Sequence, residues 1–154
     1  MELTTELIAR PDVVMLDLAV TSRESAIRAL HGQLAQQPAV KDADRLLQDV
    51  LERVMVASVC IAADVALPHA RTAAVDRIVL GVARFTAPGV GFDAEHPNVR
   101  MMFMIGTPRA QVEQYLRLVA ALSRLLRRPG ARAELLAAPD EAEFRALLAR
   151  GAAT

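Results

Sequence analysis

The stretch Ile78-Val79-Leu80-Gly81-Val82-Ala83 lies near the middle of the chain and consists of apolar residues, many of them β-branched. Two similar runs, at 59–62 and 99–105, lie before and after it. Short apolar runs bounded by Pro, Gly or Asp are typical of strands in a sheet that is covered on both faces. The three runs therefore predict the centre of a β-sheet. Residues 85–98 are rich in Pro and Gly and predict turns around one short strand at 90–92.

Amphipathic helices are predicted before these strands. A short apolar run at 13–16 comes first, and Thr21 followed by Glu24 then has the spacing of a capping box that opens a helix. Pro38 marks the end of that helix, and a second helix is predicted from about Asp42. Apolar residues recur at helical spacing in both. The residues expected to be buried are Ile27, Leu30 and Leu34 on the first helix and Leu46, Leu47, Val50, Leu51 and Val54 on the second.

Further helices are predicted after the strands. A long helix follows Pro108 and ends in the basic residues and breakers at 127–130, a short one covers 131–138, and Pro139-Asp140 with Glu143 opens the last. The buried stripe expected on the long helix is Val112, Leu116, Val119, Leu122 and Leu126. Helices, then strands, then helices indicate an α/β (α+β) architecture, with a mixed β-sheet of about five strands flanked by helices on both sides. No linker-like segment divides the chain, so one domain over 1–154 is predicted.

Composition excludes several classes of function. The 18 basic residues balance the 18 acidic ones and aromatic residues are only 3%, which argues against a nucleic-acid partner. The apolar runs are too short to insert into a membrane and no signal peptide is visible, so a cytoplasmic protein is expected. Cys60 lies in an apolar run and is expected to be buried and inert. No ligand spacing predicts a metal site, and no cofactor is expected.

The three histidines differ in context. His31 lies in the first predicted helix, where a surface or half-buried structural role is expected, and His96 lies in a turn and is expected to be exposed. His69 follows Pro68, which restricts the backbone, at the end of an apolar run. A side chain there can be exposed while its backbone is held. From the residues alone, His69 is either a loop histidine with its hydrogen bonds satisfied, which is the commoner case, or a catalytic one.

A family resemblance favours the catalytic role. The segment Ala66-Leu67-Pro68-His69-Ala70-Arg71, with Arg53 sixteen residues before the histidine, resembles the mannitol/fructose-type enzyme IIA domains of the bacterial phosphoenolpyruvate:sugar phosphotransferase system, including the nitrogen-regulatory branch. The likeness covers nearly the full length. It implies that His69 accepts a phosphoryl group from a histidine phosphocarrier protein, and Arg53 would stabilise the phosphate. The group would then pass to a IIB or permease domain for sugar uptake or, slightly favoured, serve as a signal to a regulated transporter or kinase.

Two departures from the family pattern leave a second function open. Where the family has a glycine-rich loop between the Arg and the His, this chain has Ala57-Ser58-Val59-Cys60-Ile61-Ala62-Ala63-Asp64 and no glycine. Tyr115 also stands where many members carry a second histidine. Ser58 and Tyr115 are candidates for supporting roles, since each hydroxyl could donate a hydrogen bond. The alternative is a non-phosphorylated regulatory or interaction module that retains the fold. A hydrolase is disfavoured, because no Ser or Cys has a recognisable base-bearing motif.

Overall fold

The computed structural model describes residues 3–153. Six helices and six strands follow one another along this part of the chain. They are α1 (Leu3–Ala9), β1 (Val13–Leu18), α2 (Arg23–Leu34), α3 (Ala43–Val56), β2 (Cys60–Ala62), β3 (Val65–Ala66), β4 (His69–Arg71), β5 (Val79–Phe85), β6 (Met101–Thr107), α4 (Val112–Arg127), α5 (Pro129–Ala137) and α6 (Glu141–Ala152).

The strands form one mixed sheet in the order β1-β5-β6-β3-β2, and β4 also pairs with β6. The central pair, β5 and β6, is antiparallel, whereas β3 and β4 both run parallel to β6. These two short strands lie one after the other along the same edge of β6, with Val65 opposite Met101 and Arg71 opposite Thr107. The predicted mixed sheet is confirmed, and β3 and β4 are two short strands that were not predicted from the sequence.

Helices cover both faces of the sheet, as predicted. Every residue of β5 and β6 is buried, which explains why these strands read as continuous apolar runs rather than alternating ones. Along β6, Met102 and Met104 join the core that α2 and α3 cover, and Met101, Phe103 and Ile105 join the core that α1, α4, α5 and α6 cover. This alternation follows from the two-residue repeat of a strand.

Of the three helix starts that the sequence assigned to a polar residue, two agree with the structure. Asp42 caps α3 by accepting from the Arg45 amide, and Asp140 caps α6 in the same way. The box predicted at Thr21 and Glu24 is wrong by one residue. Ser22 is the cap of α2, and it exchanges hydrogen bonds with Ser25. A serine at the third helical position can replace the usual acidic residue, because its hydroxyl oxygen also accepts a hydrogen bond from the backbone amide of the cap residue.

The face of α4 that packs on the sheet differs from the prediction. Leu122 and Leu126 are buried as expected, but Leu116 is 57% exposed. The buried residues are Tyr115, Leu118, Leu122, Leu125 and Leu126. A helix this rich in leucine has two overlapping apolar stripes, each with residues three or four apart, and packing against the sheet decides which stripe is buried. The consequence for the site is that Tyr115 points into the protein.

Smaller differences concern the turns and the short helices. The strand predicted at 90–92 is absent from the described residues, where Val90 forms only an isolated bridge with Val99. Pro129 does not terminate structure but occupies the first turn of α5, because the proline ring suits a position whose amide needs no partner. Helix α1 was not predicted, since seven residues are too few to show a helical period.

Candidate functional site

The loop before β4 fixes both the position and the tautomer of His69. The Pro68 carbonyl accepts from the Ile105 amide at 3.0 Å, which holds the segment against β6. The Nδ1 atom of His69 lies 2.9 Å from the Leu67 carbonyl oxygen. Because a carbonyl only accepts hydrogen bonds, Nδ1 carries the proton and Nε2 keeps its lone pair. In this tautomer the ring can act as a nucleophile through Nε2.

The surroundings of His69 keep its ring neutral. Burial lowers the pKa of His69 below its usual value, and the positive charge of Arg53 lowers it further, whereas the hydrogen bond to Leu67 raises it. The net direction is downward, so the imidazole is unprotonated at neutral pH. A neutral ring is the form that can attack an electrophile.

A cavity of about 400 Å³ opens beside His69 and is lined by several basic groups. Arg53 from the last turn of α3, Arg71 from β4 and Arg109 from the loop before α4 all contribute to its wall. The helix α3 packs against β4, which brings Arg53 to the histidine. Two acidic residues, Asp49 and Glu52, also line the cavity. The arrangement suits an anionic group bound next to the imidazole.

Arg53 does not pair with the neighbouring acids of its own helix. Asp49 accepts from Arg45 at 3.1 Å, and Glu52 accepts from Gln48 at 3.2 Å. The contact found for the Arg53 side chain among residues 3–153 is a long one, 3.4 Å, to the Ala57 carbonyl. Arg53 therefore has no ion-pair partner among residues 3–153. Most of its donors remain available to a ligand.

Tyr115 lies directly against the histidine. The ring centroids of His69 and Tyr115 are 5.4 Å apart, with the planes tilted by 38°. Burial raises the pKa of Tyr115, although the charges of Arg53 and Arg71 oppose the change. The phenol is therefore protonated and its hydroxyl can donate into the cavity it lines. The structure thus brings together three predicted site residues, His69, Arg53 and Tyr115.

Ser58 is not among the residues that line this cavity. Its hydroxyl donates to Asp93 Oδ2 at 2.8 Å and accepts from the Cys60 amide at 3.3 Å. Asp64 also lies elsewhere, since its carboxylate is 3.1 Å from the Arg132 side chain. The altered loop therefore places no negative charge in the wall of the cavity. A supporting role for Ser58 stays a prediction.

Two cavity residues were missed from the sequence. Arg71 lies two residues after His69 in the same strand, so both side chains lie on one face of it. That spacing was a usable signal once His69 was suspected. Arg109 carried no such signal, because its approach to His69 depends on where the chain leaves β6.

The other histidines and the cysteine have structural partners. His31 is half-buried, with Nε2 2.7 Å from the Ala43 carbonyl, as expected of a structural residue. His96 is not the exposed loop residue that was predicted but half-buried, with Nδ1 2.6 Å from Asp93 Oδ1. Cys60 is also half-buried, and burial together with Asp93 raises the pKa of its thiol to about 11. Such a thiol is a poor nucleophile.

Comparison with known proteins identifies the family. A model of the family described as "Phosphoenolpyruvate-dependent sugar phosphotransferase system, EIIA 2" matches residues 7–151. The chain belongs to this EIIA family. The fructose-specific EIIA component of Haloferax volcanii is 32% identical over 139 residues, which is 90% of this chain and 90% of that protein. The nitrogen regulatory protein of Pseudomonas aeruginosa is 24% identical over 135 residues, 87% of each chain.

Solved structures give the same fold. The crystal structure of nitrogen regulatory protein IIA-Ntr from Neisseria meningitidis superposes with a TM-score of 0.82 at 19% identity, covering 96% of this chain and 99% of that one. The suspected resemblance to EIIA proteins and the predicted fold class are both confirmed. Within residues 3–153, no helix is long and apolar enough to cross a membrane.

Proposed function

We propose that this EIIA protein carries a phosphoryl group on Nε2 of His69. The observation that supports the proposal most strongly is the fixed tautomer: Nδ1 donates to Leu67, which leaves the Nε2 lone pair beside a cavity with three arginines in its wall. The proposed donor is the phosphohistidine of a histidine phosphocarrier protein. EIIA family membership supports that choice.

The transfer balances as a simple displacement at phosphorus. The Nε2 lone pair forms the new N–P bond while the N–P bond of the donor histidine breaks, and the donor imidazole leaves with the electron pair. The His69 ring then bears a positive charge, which the Leu67 carbonyl stabilises through the Nδ1 proton. Charge on the equatorial oxygens is offset by Arg53, Arg71 and Arg109. Tyr115 supplies one further donor.

The onward acceptor has two candidates. A IIB or permease domain would take the group for sugar uptake, whereas a transporter or kinase would respond to the phosphorylated or unphosphorylated state. The sequence slightly favoured the regulatory route. The higher identity to a fructose-specific relative, 32% against 24% for a nitrogen regulatory protein, supports the sugar route instead. We place sugar uptake first.

Radiolabelling tests the phosphoryl-carrier function. The protein is incubated with labelled phosphoenolpyruvate, the general phosphotransferase enzyme and the phosphocarrier. We expect an acid-labile, base-stable label that disappears in His69→Ala and persists in the control His31→Gln, whose imidazole contacts a backbone carbonyl away from the cavity. A label that survives His69→Ala would overturn the proposal. Adding a IIB domain, with loss of label as the readout, tests the onward step.

The non-phosphorylated interaction module remains the second candidate. The observation in its favour is the altered loop at 57–64, none of whose residues lines the wall of the cavity. If it is correct, the folded protein stays unlabelled at phosphocarrier concentrations that label an active EIIA protein fully. Circular dichroism and thermal unfolding of the same sample would establish that the unlabelled protein is folded.

A further inference from the structure

A second group of chemically reactive side chains lies outside the His69 cavity. Cys60 at the start of β2 meets Asp93 and His96 from the turn after Phe92. Each offers one metal-ligating atom, and these atoms lie within 4.8 Å of one another. None of the three lines the His69 cavity. We propose that Cys60, Asp93 and His96 bind a divalent transition-metal ion, and that Zn²⁺ is the best match.

The turn that carries two of the ligands is held by its own hydrogen bonds. The Phe92 amide donates to the His96 carbonyl at 2.9 Å, and the His96 amide donates to the Asp93 carbonyl at 3.1 Å. The Glu95 amide also donates to Asp93 Oδ1 at 3.0 Å. Such a closed turn fixes the backbone that carries both side chains. The two residues are therefore held side by side before an ion arrives.

The hydrogen bond between His96 and Asp93 must open for an ion to bind. His96 Nδ1 and Asp93 Oδ1 are only 2.6 Å apart, and a carboxylate only accepts, so the imidazole donates. When an ion binds, the proton on His96 Nδ1 moves to Nε2, the other ring nitrogen. Nδ1 and the Asp93 carboxylate are then both free to bind the ion. The Cys60 thiol gives its proton to solvent, as thiolate ligation requires. One thiolate and one carboxylate then neutralise the charge of M²⁺.

Ser58 supports two of the three ligands. Its hydroxyl donates to Asp93 Oδ2 at 2.8 Å, and its oxygen accepts from the Cys60 amide at 3.3 Å. Groups that orient metal ligands in this way commonly raise the affinity of a site. This contact also explains the position of Ser58, which the cavity around His69 does not.

The ligand set decides the ion. Thiolate and imidazole favour Zn²⁺, Co²⁺ and similar ions, whereas Mg²⁺ and Ca²⁺ prefer oxygen. Tetrahedral Zn²⁺ with bonds of about 2.0–2.3 Å places its ligand atoms about 3.5 Å apart, which lies between the 2.6 Å from His96 Nδ1 to Asp93 Oδ1 and the 4.8 Å limit of the cluster. Water would complete the fourth position. With three protein ligands, the site is weaker than one with four. Arg23, which donates to the Phe92 carbonyl at 2.8 Å, weakens it further because its positive charge repels the ion.

Cobalt spectroscopy tests the proposal. The reduced protein is titrated with Co²⁺ alone, in the presence of a phosphine reductant. Because Cys60 is the single cysteine, a thiolate-to-cobalt charge-transfer band reports on this site and no other. We expect one equivalent to produce the band, together with visible bands of tetrahedral intensity. Zn²⁺ should abolish it in competition and Mg²⁺ should not.

Variants separate the proposed centre from adventitious binding. Cys60→Ser should lose the band, and His96→Gln and Asp93→Asn should each weaken Co²⁺ binding more than about tenfold. The controls His31→Gln and His69→Gln should bind as the unmodified protein does. Absence of the band, or a band indifferent to both His96→Gln and Asp93→Asn, would overturn the proposal. Should Cys60→Ser fail to fold, the latter two variants still decide the question.

Thermal unfolding gives an independent readout. A ligand that binds only the folded state raises the midpoint temperature as its concentration increases. Zn²⁺ should therefore raise the midpoint of the unmodified protein and of His69→Gln, but not of His96→Gln. An equal rise in His96→Gln would place the ion elsewhere and contradict the assignment.

Discussion

Arginines in two regions of the molecule are used in opposite ways. Arg84 on β5 is 4% exposed, donates to the Leu135 and Ala138 carbonyls at 3.0 and 2.8 Å, and pairs with Asp17 at 3.0 Å. The arginines around His69 have no carboxylate partner among the described residues. A buried guanidinium is tolerated only when its donors are satisfied. The contrast indicates that Arg84 stabilises the fold, whereas the donors at the cavity are left for a ligand.

Replacing Arg53 should have the largest effect on activity and little on stability. Removing one preorganised donor from a transition-state site costs about 100-fold in rate, or about 2.7 kcal/mol. We therefore expect Arg53→Gln to reduce the initial rate of phosphoryl labelling by about 100-fold. Its free energy of unfolding should change by less than about 0.5 kcal/mol, because no described ion pair is lost.

A matched variant on the neighbouring helix serves as the control. Arg28 pairs with Glu24 on the exposed face of α2, and neither residue lines the cavity. Arg28→Gln should leave the labelling rate within about twofold of the unmodified protein. If Arg28→Gln and Arg53→Gln slow labelling equally, the effect is one of general charge, and the assigned role of Arg53 is wrong.

Arg84 should show the reverse pattern. Arg84→Met removes the donors of two buried carbonyls, so we expect the free energy of unfolding to fall by about 2–4 kcal/mol in urea titrations. The labelling rate should be unchanged at temperatures where the variant is folded. Arg28→Met, which breaks an exposed pair with Glu24, should cost no more than about 0.5 kcal/mol. A loss below about 1 kcal/mol in Arg84→Met would contradict the structural role.

This comparison also shows what sequence could and could not predict. The strands at 78–83 and 99–105 and the face of α3 were predictable, because their burial repeats along the chain. Arg53 and His69, which line one cavity, were singled out through a fixed spacing in a known motif. The position of Arg109 at the cavity and the contact of Ser58 with Asp93 could not be predicted in this way. Each brings together segments that are distant in the chain and become neighbours only through the order of strands in the sheet. The choice of Tyr115 rather than Leu116 as the buried residue likewise required the packing of α4.

Tyr115→Phe isolates the hydroxyl from the packing of the ring. The phenyl ring keeps the contact with His69, so stability should change little. A single neutral hydrogen bond contributes about 1 kcal/mol, and we expect labelling to slow by about fivefold. An unchanged rate would assign Tyr115 to packing alone. A loss above about 100-fold would instead indicate that the hydroxyl takes part in proton transfer.

The pH dependence of labelling should show the smallest but most specific effect. An ordinary histidine becomes protonated as the pH falls through about 6.5 and then cannot attack phosphorus. Since burial and Arg53 lower the pKa of His69, the ring stays neutral there. The labelling rate should therefore stay constant as the pH falls below about 6.5, and should decrease only when the pH reaches the lowered pKa of His69.

NMR titration can separate the two causes of that shift. The His69 resonance, assigned by its loss in His69→Ala, should titrate at lower pH in the folded protein than in urea. Burial is the larger cause, so Arg53→Gln should raise the pKa of His69 without returning it to the unfolded value. A full return would make charge the main cause. No change at all would mean that Arg53 lies too far from the ring to act on a bound phosphoryl group, and the contrast with Arg84 would then rest on Arg71 and Arg109 alone.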